Sequence, residues 1–137
     1  MAGGIVVGYD GLDGGQAALD AAIDLATRLG EPLIVAYGYH VTRLGGEVAD
    51  MAHALVEQAE KVTSEGAERA RQAGIDAQAV VREGDPATVL AQLAGELQAT
   101  MIALGTRGER PLTAALIGSP THKLLHESPV PVLAVPH

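Results

Sequence analysis

The sequence has no cysteine, no phenylalanine and no tryptophan, and only three tyrosines. Without cysteine there are no disulfides, thiolate metal sites or cysteine nucleophiles. With so few aromatic rings, the core is expected to be built from Ala, Val, Leu and Ile, side chains suited to close packing of helix on sheet. Nor is there an apolar run of the ~20 residues needed to cross a bilayer. The start, Met1-Ala2-Gly3-Gly4, has no basic region and leads straight into an apolar run, so the expectation is a cytoplasmic protein with no membrane association. Basic residues are also scarce. Nine Lys and Arg face seventeen Asp and Glu, a net charge of −8. Such a surface repels nucleic-acid backbones and anionic lipid, so no nucleic-acid partner is expected. Any phosphate must be held locally, by backbone N–H groups and a few basic side chains.

What is present is abundant aliphatic residue and seventeen glycines in a chain of 137 residues. The length fits one domain, residues 1–137. Five short apolar runs stand out: Ile5–Tyr9, Leu33–Tyr37, Ala77–Val81, Met101–Leu104 and Val130–Val135. Four are nearly continuous, as expected of strands covered on both faces. The third is more mixed and is expected near an edge. The fifth carries Pro131 and is flanked by Pro129 and Pro136. Proline cannot donate to a ladder, which also assigns that strand to an edge.

Helical patterns lie between the runs. Asp13 is a candidate N-cap, with Gln16 as its capping-box partner. Ala18, Ala21, Ala22, Leu25 and Leu29 then form a stripe that Gly30 can end. A second helix is expected from near Val48 to Gly74, with a stripe of Met51, Ala52, Leu55, Ala59 and Val62 and with Glu57–Lys61 and Glu65–Arg69 pairs on its wet face. In the third, Asp85 caps, Pro86 takes the first helical position, and Leu90, Leu93, Ala94 and Leu97 face inward. A short fourth helix is expected over about Ser119–His126. Strands alternating with crossover helices predict an α/β fold, an open five-stranded parallel sheet with helices on both faces, Rossmann-like. The loops at the strand C-termini, including the long connection from His40 to Glu47, are where such sheets bind ligands.

The fourth run ends in Gly105-Thr106-Arg107-Gly108, and nine residues later come Gly118-Ser119, giving G-x2-G-x9-G-S. Gly105 and Gly108 are expected to turn with positive φ and to present N–H groups to an anion. Gly118-Ser119 opens the fourth helix, whose first N–H groups lack intrahelical partners and carry about half a positive charge. The Ser119 hydroxyl adds a donor, and Arg107, with Arg110 or Lys123, offers positive charge. Glycines also fall at loops for purely structural reasons. The motif nonetheless follows a predicted strand and opens a predicted helix, the setting a phosphate loop needs.

On these residues the whole chain resembles a universal stress protein domain. In that family the G-x2-G-x9-G-[S/T] pattern marks ATP-binding members, and Gly105, Gly108, Gly118 and Ser119 match it. Tyr9-Asp10-Gly11 and Gly84-Asp85-Pro86 match two further turns. The resemblance implies strand order 3-2-1-4-5, which makes strands one and four neighbours and brings Asp10 and Gly105 to one crevice. It implies ATP, with Mg²⁺, as ligand. Asp10 would contact the ribose or the metal, and backbone groups near Gly38 would meet the adenine edge. Asp in Asp-Gly also serves as a turn or cap residue; the switch-point position favours the ligand role. Pro120 departs from the larger residue usual after Gly-Ser and removes one N–H. Thr100 replaces an Asp before strand four.

Other chemistries fail on spacing. There is no G-x4-G-K-[S/T], and the glycines after the first strand lack G-x-G-x-x-G. His122 and His126 could share a helix face, but no third zinc ligand accompanies them, so no metal site is expected in the protein itself. No residue is evidently placed to activate water, so any ATPase activity is expected to be weak. The expectation is a stress-response domain acting by occupancy, binding ordering His40–Glu47 and shifting a partner surface. Two alternatives stand beside it: a homodimeric interaction module without nucleotide, and a cyclic AMP binder. The apolar edge strand Val130–Val135 is the expected homodimer contact under either reading.

Overall fold

The computed structural model describes residues 3–39, 48–106 and 120–137. Five strands, β1 (Ile5–Gly8), β2 (Leu33–Tyr39), β3 (Ala77–Glu83), β4 (Met101–Gly105) and β5 (Val132–Val135), form one sheet in the order β3-β2-β1-β4-β5. Every neighbouring pair is parallel. Four described helices, α1 (Asp13–Leu29), α2 (Val48–Gln72), α3 (Pro86–Leu97) and α4 (Pro120–Glu127), cover both faces. The fold is the open, Rossmann-like α/β sheet that the alternating pattern predicts.

Side-chain alternation along the central strand divides the core. Ile5, Val7 and Tyr9 face α1 and α2, with Ala18, Leu19, Ala22, Ala67 and Ala70 packed against them. Val6 faces the other way, toward Leu90, Leu93, Ala94 and Leu124 of α3 and α4. Ile5, Leu19, Leu33, Ile102 and Leu124 are wholly buried, each contributing roughly 1.5–3 kcal/mol. Prolines 129, 131 and 136 flank β5, which lies at the sheet edge as expected. Its pairing with β4 starts at Val132: the Pro131 carbonyl accepts the first cross-strand bond, from the Ile102 N–H, while the Val130 N–H donates to the Ser128 hydroxyl.

Three local expectations are corrected. Asp13 is the first helical residue, and Leu12 is the N-cap without a side-chain bond. The nearby carboxylate that acts is Asp10, whose Oδ1 takes the Leu12 N–H at 2.9 Å. The stripe of α2 does not begin at Met51, which is 70% exposed; its buried residues are Ala59, Thr63, Gly66, Ala67 and Ala70. Finally, Arg69 does not serve the wet face of α2. It crosses to α1, pairing with Asp20 and donating to the Gln16 side chain, while Glu57 pairs with His53. The cap of α3 is as predicted: Asp85 accepts from the Thr88 N–H and Pro86 opens the helix.

Among the described residues, no helix is long and apolar enough to cross a membrane.

Candidate functional site

The carboxyl ends of β1, β2 and β4 meet where the strand order reverses, β1 having β2 on one side and β4 on the other. Gly8 pairs with Ala36, and Val7 with Ala103. Two residues further along, this register sets Asp10 level with Gly38 and Tyr9 level with Gly105. Three of the residues expected to hold a nucleotide, Asp10, Gly38 and Gly105, thus lie at one end of three adjacent strands. The other four, Arg107, Gly108, Gly118 and Ser119, lie outside the described residues, as do Arg110 and the segment from His40 to Glu47.

Asp10 is exposed and opens a turn built on Gly11, whose φ of +82° strongly favours glycine. Its Oδ1 closes the turn onto the Leu12 N–H, and Gly15 makes room for it: a Cβ at Gly15 would lie 2.5 Å from that oxygen. The Asp10 Oδ2 makes no hydrogen bond among the described residues. The turn role therefore occupies one oxygen of an exposed side chain. The Gln16 amide reaches back to the Gly11 carbonyl at 3.4 Å, and Arg69 holds Gln16 from α2, so the turn is braced from two helices.

Gly38 is a glycine because of packing. A Cβ there would lie 2.8 Å from the Pro86 Cα. Its backbone direction follows from ladder alternation. The Ala36 carbonyl accepts from the Tyr9 N–H on the β1 side, and the Tyr39 carbonyl accepts from the Gly84 N–H on the β3 side. Gly38 therefore turns its N–H and C=O toward the β1 side, past the last ladder residue of β1.

Gly105 departs from expectation. Its φ is not positive; it is a glycine because α1 begins on top of it. A Cβ at Gly105 would lie 2.7–2.9 Å from the backbone of Gly14. The Gly105 carbonyl accepts from the Thr121 hydroxyl of α4 at 3.0 Å, and the Thr106 N–H donates to Val135. Thr121 was not foreseen from the motif, although its place directly after Gly-Ser-Pro could have flagged it.

Lys123 is also reassigned. Named beside Arg110 as a source of positive charge, it has its ammonium 3.0 Å from the Asp85 Oδ2. Burial pushes the Asp85 carboxyl up, but hydrogen bonds from Lys123 and Thr88 outweigh it and hold the carboxyl below the ordinary aspartate value. The bond to Asp85 in turn raises the Lys123 ammonium. Nothing in the local sequence pairs positions 38 residues apart, so only the packing of α4 on α3 discloses this contact. His122 and His126 stack edge to face with centroids 5.0 Å apart, and no cluster of three metal-ligating side chains occurs among the described residues.

The family model described as the universal stress protein family matches residues 1–136. Universal stress protein YxiE of Bacillus subtilis (strain 168) is 32% identical over 146 residues, spanning 96% of this chain and 97% of the relative. A universal stress protein solved in complex with cAMP superposes with a TM-score of 0.80 at 27% identity, covering 97% of this chain and 96% of that one. A universal stress protein from Archaeoglobus fulgidus, solved in complex with dAMP, shares the fold with a TM-score of 0.75 at 20% identity and 97% coverage of both chains. By fold, by sequence and by the length of the match, the chain belongs to the universal stress protein family.

Proposed function

We propose that this protein binds ATP across the carboxyl ends of β1, β2 and β4 and serves stress-response signalling by occupancy, with slow hydrolysis or none. The observation that carries the reading is the gathering of Asp10, Gly38 and Gly105 at the carboxyl ends of three adjacent strands where the strand order reverses, the position where open parallel sheets take their ligands. The groups present there suit an adenine nucleotide. The Gly38 peptide turns a donor and an acceptor past the end of β1, a pairing edge for a base. The Asp10 Oδ2 suits a ribose hydroxyl or a phosphate-bound Mg²⁺. Helix α4 starts directly after Gly118-Ser119 in the sequence, and its first N–H groups favour an anion. The match of Gly105, Gly108, Gly118 and Ser119 to the ATP-binding pattern favours ATP. The relative solved with cyclic AMP makes an adenine nucleotide the shared element and cyclic AMP the competing ligand.

Titration calorimetry with MgATP tests the reading. Wild type should bind, and Asp10→Ala and Gly118→Val should each bind at least about tenfold more weakly. Equal affinities would remove the site. A thermal-shift series with ATP, ADP, AMP, cyclic AMP and GTP should rank ATP first. A cyclic AMP maximum would replace ATP as ligand.

A second reading, an interaction module without nucleotide, rests on β5. This edge strand keeps Val132, Leu133 and Val135 only partly buried. An open apolar edge suits pairing with a second copy through Val130–Val135. Sedimentation should report a dimer under both readings, and absence of a thermal shift with every nucleotide would favour the module alone.

A further inference from the structure

Asp85 has more partners than a helix cap needs. Its Oδ2 receives the Thr88 N–H at 3.2 Å, the Thr88 hydroxyl at 3.3 Å and the Lys123 ammonium at 3.0 Å. The first two complete the cap of α3. Lys123 is not placed for the good of its own helix. It lies near the start of α4, where a cation opposes the helix dipole. Its charge is matched by Asp85, and the contact joins two segments that are otherwise attached to opposite sides of the candidate site.

On one side, the Gly84-Asp85-Pro86 turn is fixed to the end of β2. The Gly84 N–H donates to the Tyr39 carbonyl at 2.8 Å, and Pro86 packs against Gly38 too closely to admit a Cβ. On the other side, α4 is fixed to the end of β4 by the Thr121 hydroxyl on the Gly105 carbonyl. Strands β2 and β4 are separated by β1, so about 10 Å of sheet lies between these two anchors. The ion pair closes the bridge between them over the α3–α4 face.

We propose that Asp85 and Lys123 are positioning residues whose ion pair sets the spacing between the base edge at Gly38 and the start of α4. The proposal rests on the nucleotide reading given above. A ligand that touches both ends, such as ATP, feels that spacing; adenosine, which touches only the β1–β2 end, does not. Neither side chain need contact the ligand.

Calorimetric titration of the full chain with MgATP and with adenosine tests this in four variants. Asp85→Asn keeps a good cap and removes the charge. Lys123→Met keeps the stem, and Lys123→Arg keeps the cation. In Asp85→Asn and Lys123→Met the ATP affinity should fall about fivefold while adenosine affinity holds within about twofold. Lys123→Arg should bind ATP like wild type. The double variant Asp85→Asn/Lys123→Met should be no worse than either single one, because both remove the same contact. Equal losses for both ligands would make the pair merely structural and overturn the proposal. Tighter ATP binding in Asp85→Asn would mean that a freed Lys123 serves the phosphates directly, which also overturns it. A wild-type protein that binds neither ligand would remove the nucleotide reading itself. Unchanged ATP-to-adenosine ratios in variants of a binding-competent protein would remove only the positioning role.

Discussion

The two faces of the sheet are held by different means. On the α1–α2 face, backbones come close. Gly105 lies under Gly14, and Gly66, in the middle of a 25-residue helix, admits the ring of Tyr9. Alanines fill most of the remaining contacts. On the α3–α4 face, apart from the close approach of Pro86 to Gly38 at the start of α3, the shorter helices pack on the sheet mainly through leucines, and a polar contact, Asp85–Lys123, sits at the site end. Backbone-to-backbone contact has no slack. A leucine-packed face yields by degrees, and a half-exposed ion pair yields most easily. The first face should therefore fail as a unit when altered, and the second should be tunable.

The sharpest way to break this contrast is Gly105→Val. The added carbons fall on the Gly14 backbone, which cannot rotate aside as a side chain would. Destabilisation above about 3 kcal/mol is expected, read by denaturant melts. A consequence follows for functional work: a loss of nucleotide binding in this variant would report packing, so Asp10→Ala and Gly118→Val are the better probes. On the other face, Leu124→Ala removes a wholly buried side chain of α4 and should cost about 2–5 kcal/mol. Leu125→Ala, at a neighbouring position 59% exposed, should stay within about 0.5 kcal/mol. If the two leucine variants melted alike, α4 would not be seated as described.

The pattern of strands and helices was readable because each element announces itself locally: β-branched runs, alanine stripes, Gly30 after α1, Asp85-Pro86 before α3. The edge position of β5 was readable from its prolines for the same reason. What could not be read were contacts between elements. Gly105 was expected to be a positive-φ turn residue and is a packing residue, since sequence shows that a glycine is present and not which of its two uses applies. Gly38, Gly66 and Gly15 belong to the same class. Lys123 was read only as an alternative to Arg110 for supplying positive charge, and its partner, 38 residues away, could not be read. Asp10 could be read as turn or ligand; the structure shows the turn role, one oxygen closing the turn in an exposed side chain.

Gly66→Ala sharpens the comparison at intermediate size, because two effects oppose. Replacing glycine inside a helix should gain roughly 1 kcal/mol from propensity. The new Cβ, however, would lie 2.8 Å from the Tyr9 ring and 3.1 Å from Val35. Both neighbours are buried and cannot swing away. The clash should win, with a net loss of about 1–2 kcal/mol. Tyr9→Leu in the same chain should recover part of it, and a double-mutant cycle measures how much. Simple additivity would mean that the helix backbone shifts instead, and that this face has more slack than its glycines indicate.

The smallest expected effect lies on the tunable face and depends on pH. The Asp85 carboxyl is held below its ordinary value by Lys123 and Thr88, so the unfolded chain takes up its proton at a higher pH than the folded chain. The contribution is therefore present above the unfolded value, about 3.9, and is lost as pH falls through the lower folded value. Asp85→Asn keeps the cap but cannot titrate. At neutral pH it should melt about 2 °C below wild type, a modest shift because the Asp85 side chain is 38% exposed. Below about pH 4 the two melting curves should converge. Lys123→Met should trace the same convergence, since it removes the partner that depresses the carboxyl. Were the gap to persist undiminished in acid, the asparagine would be disturbing the cap of α3 rather than the charge, and the polar link between the two helices would carry none of the stability of this face.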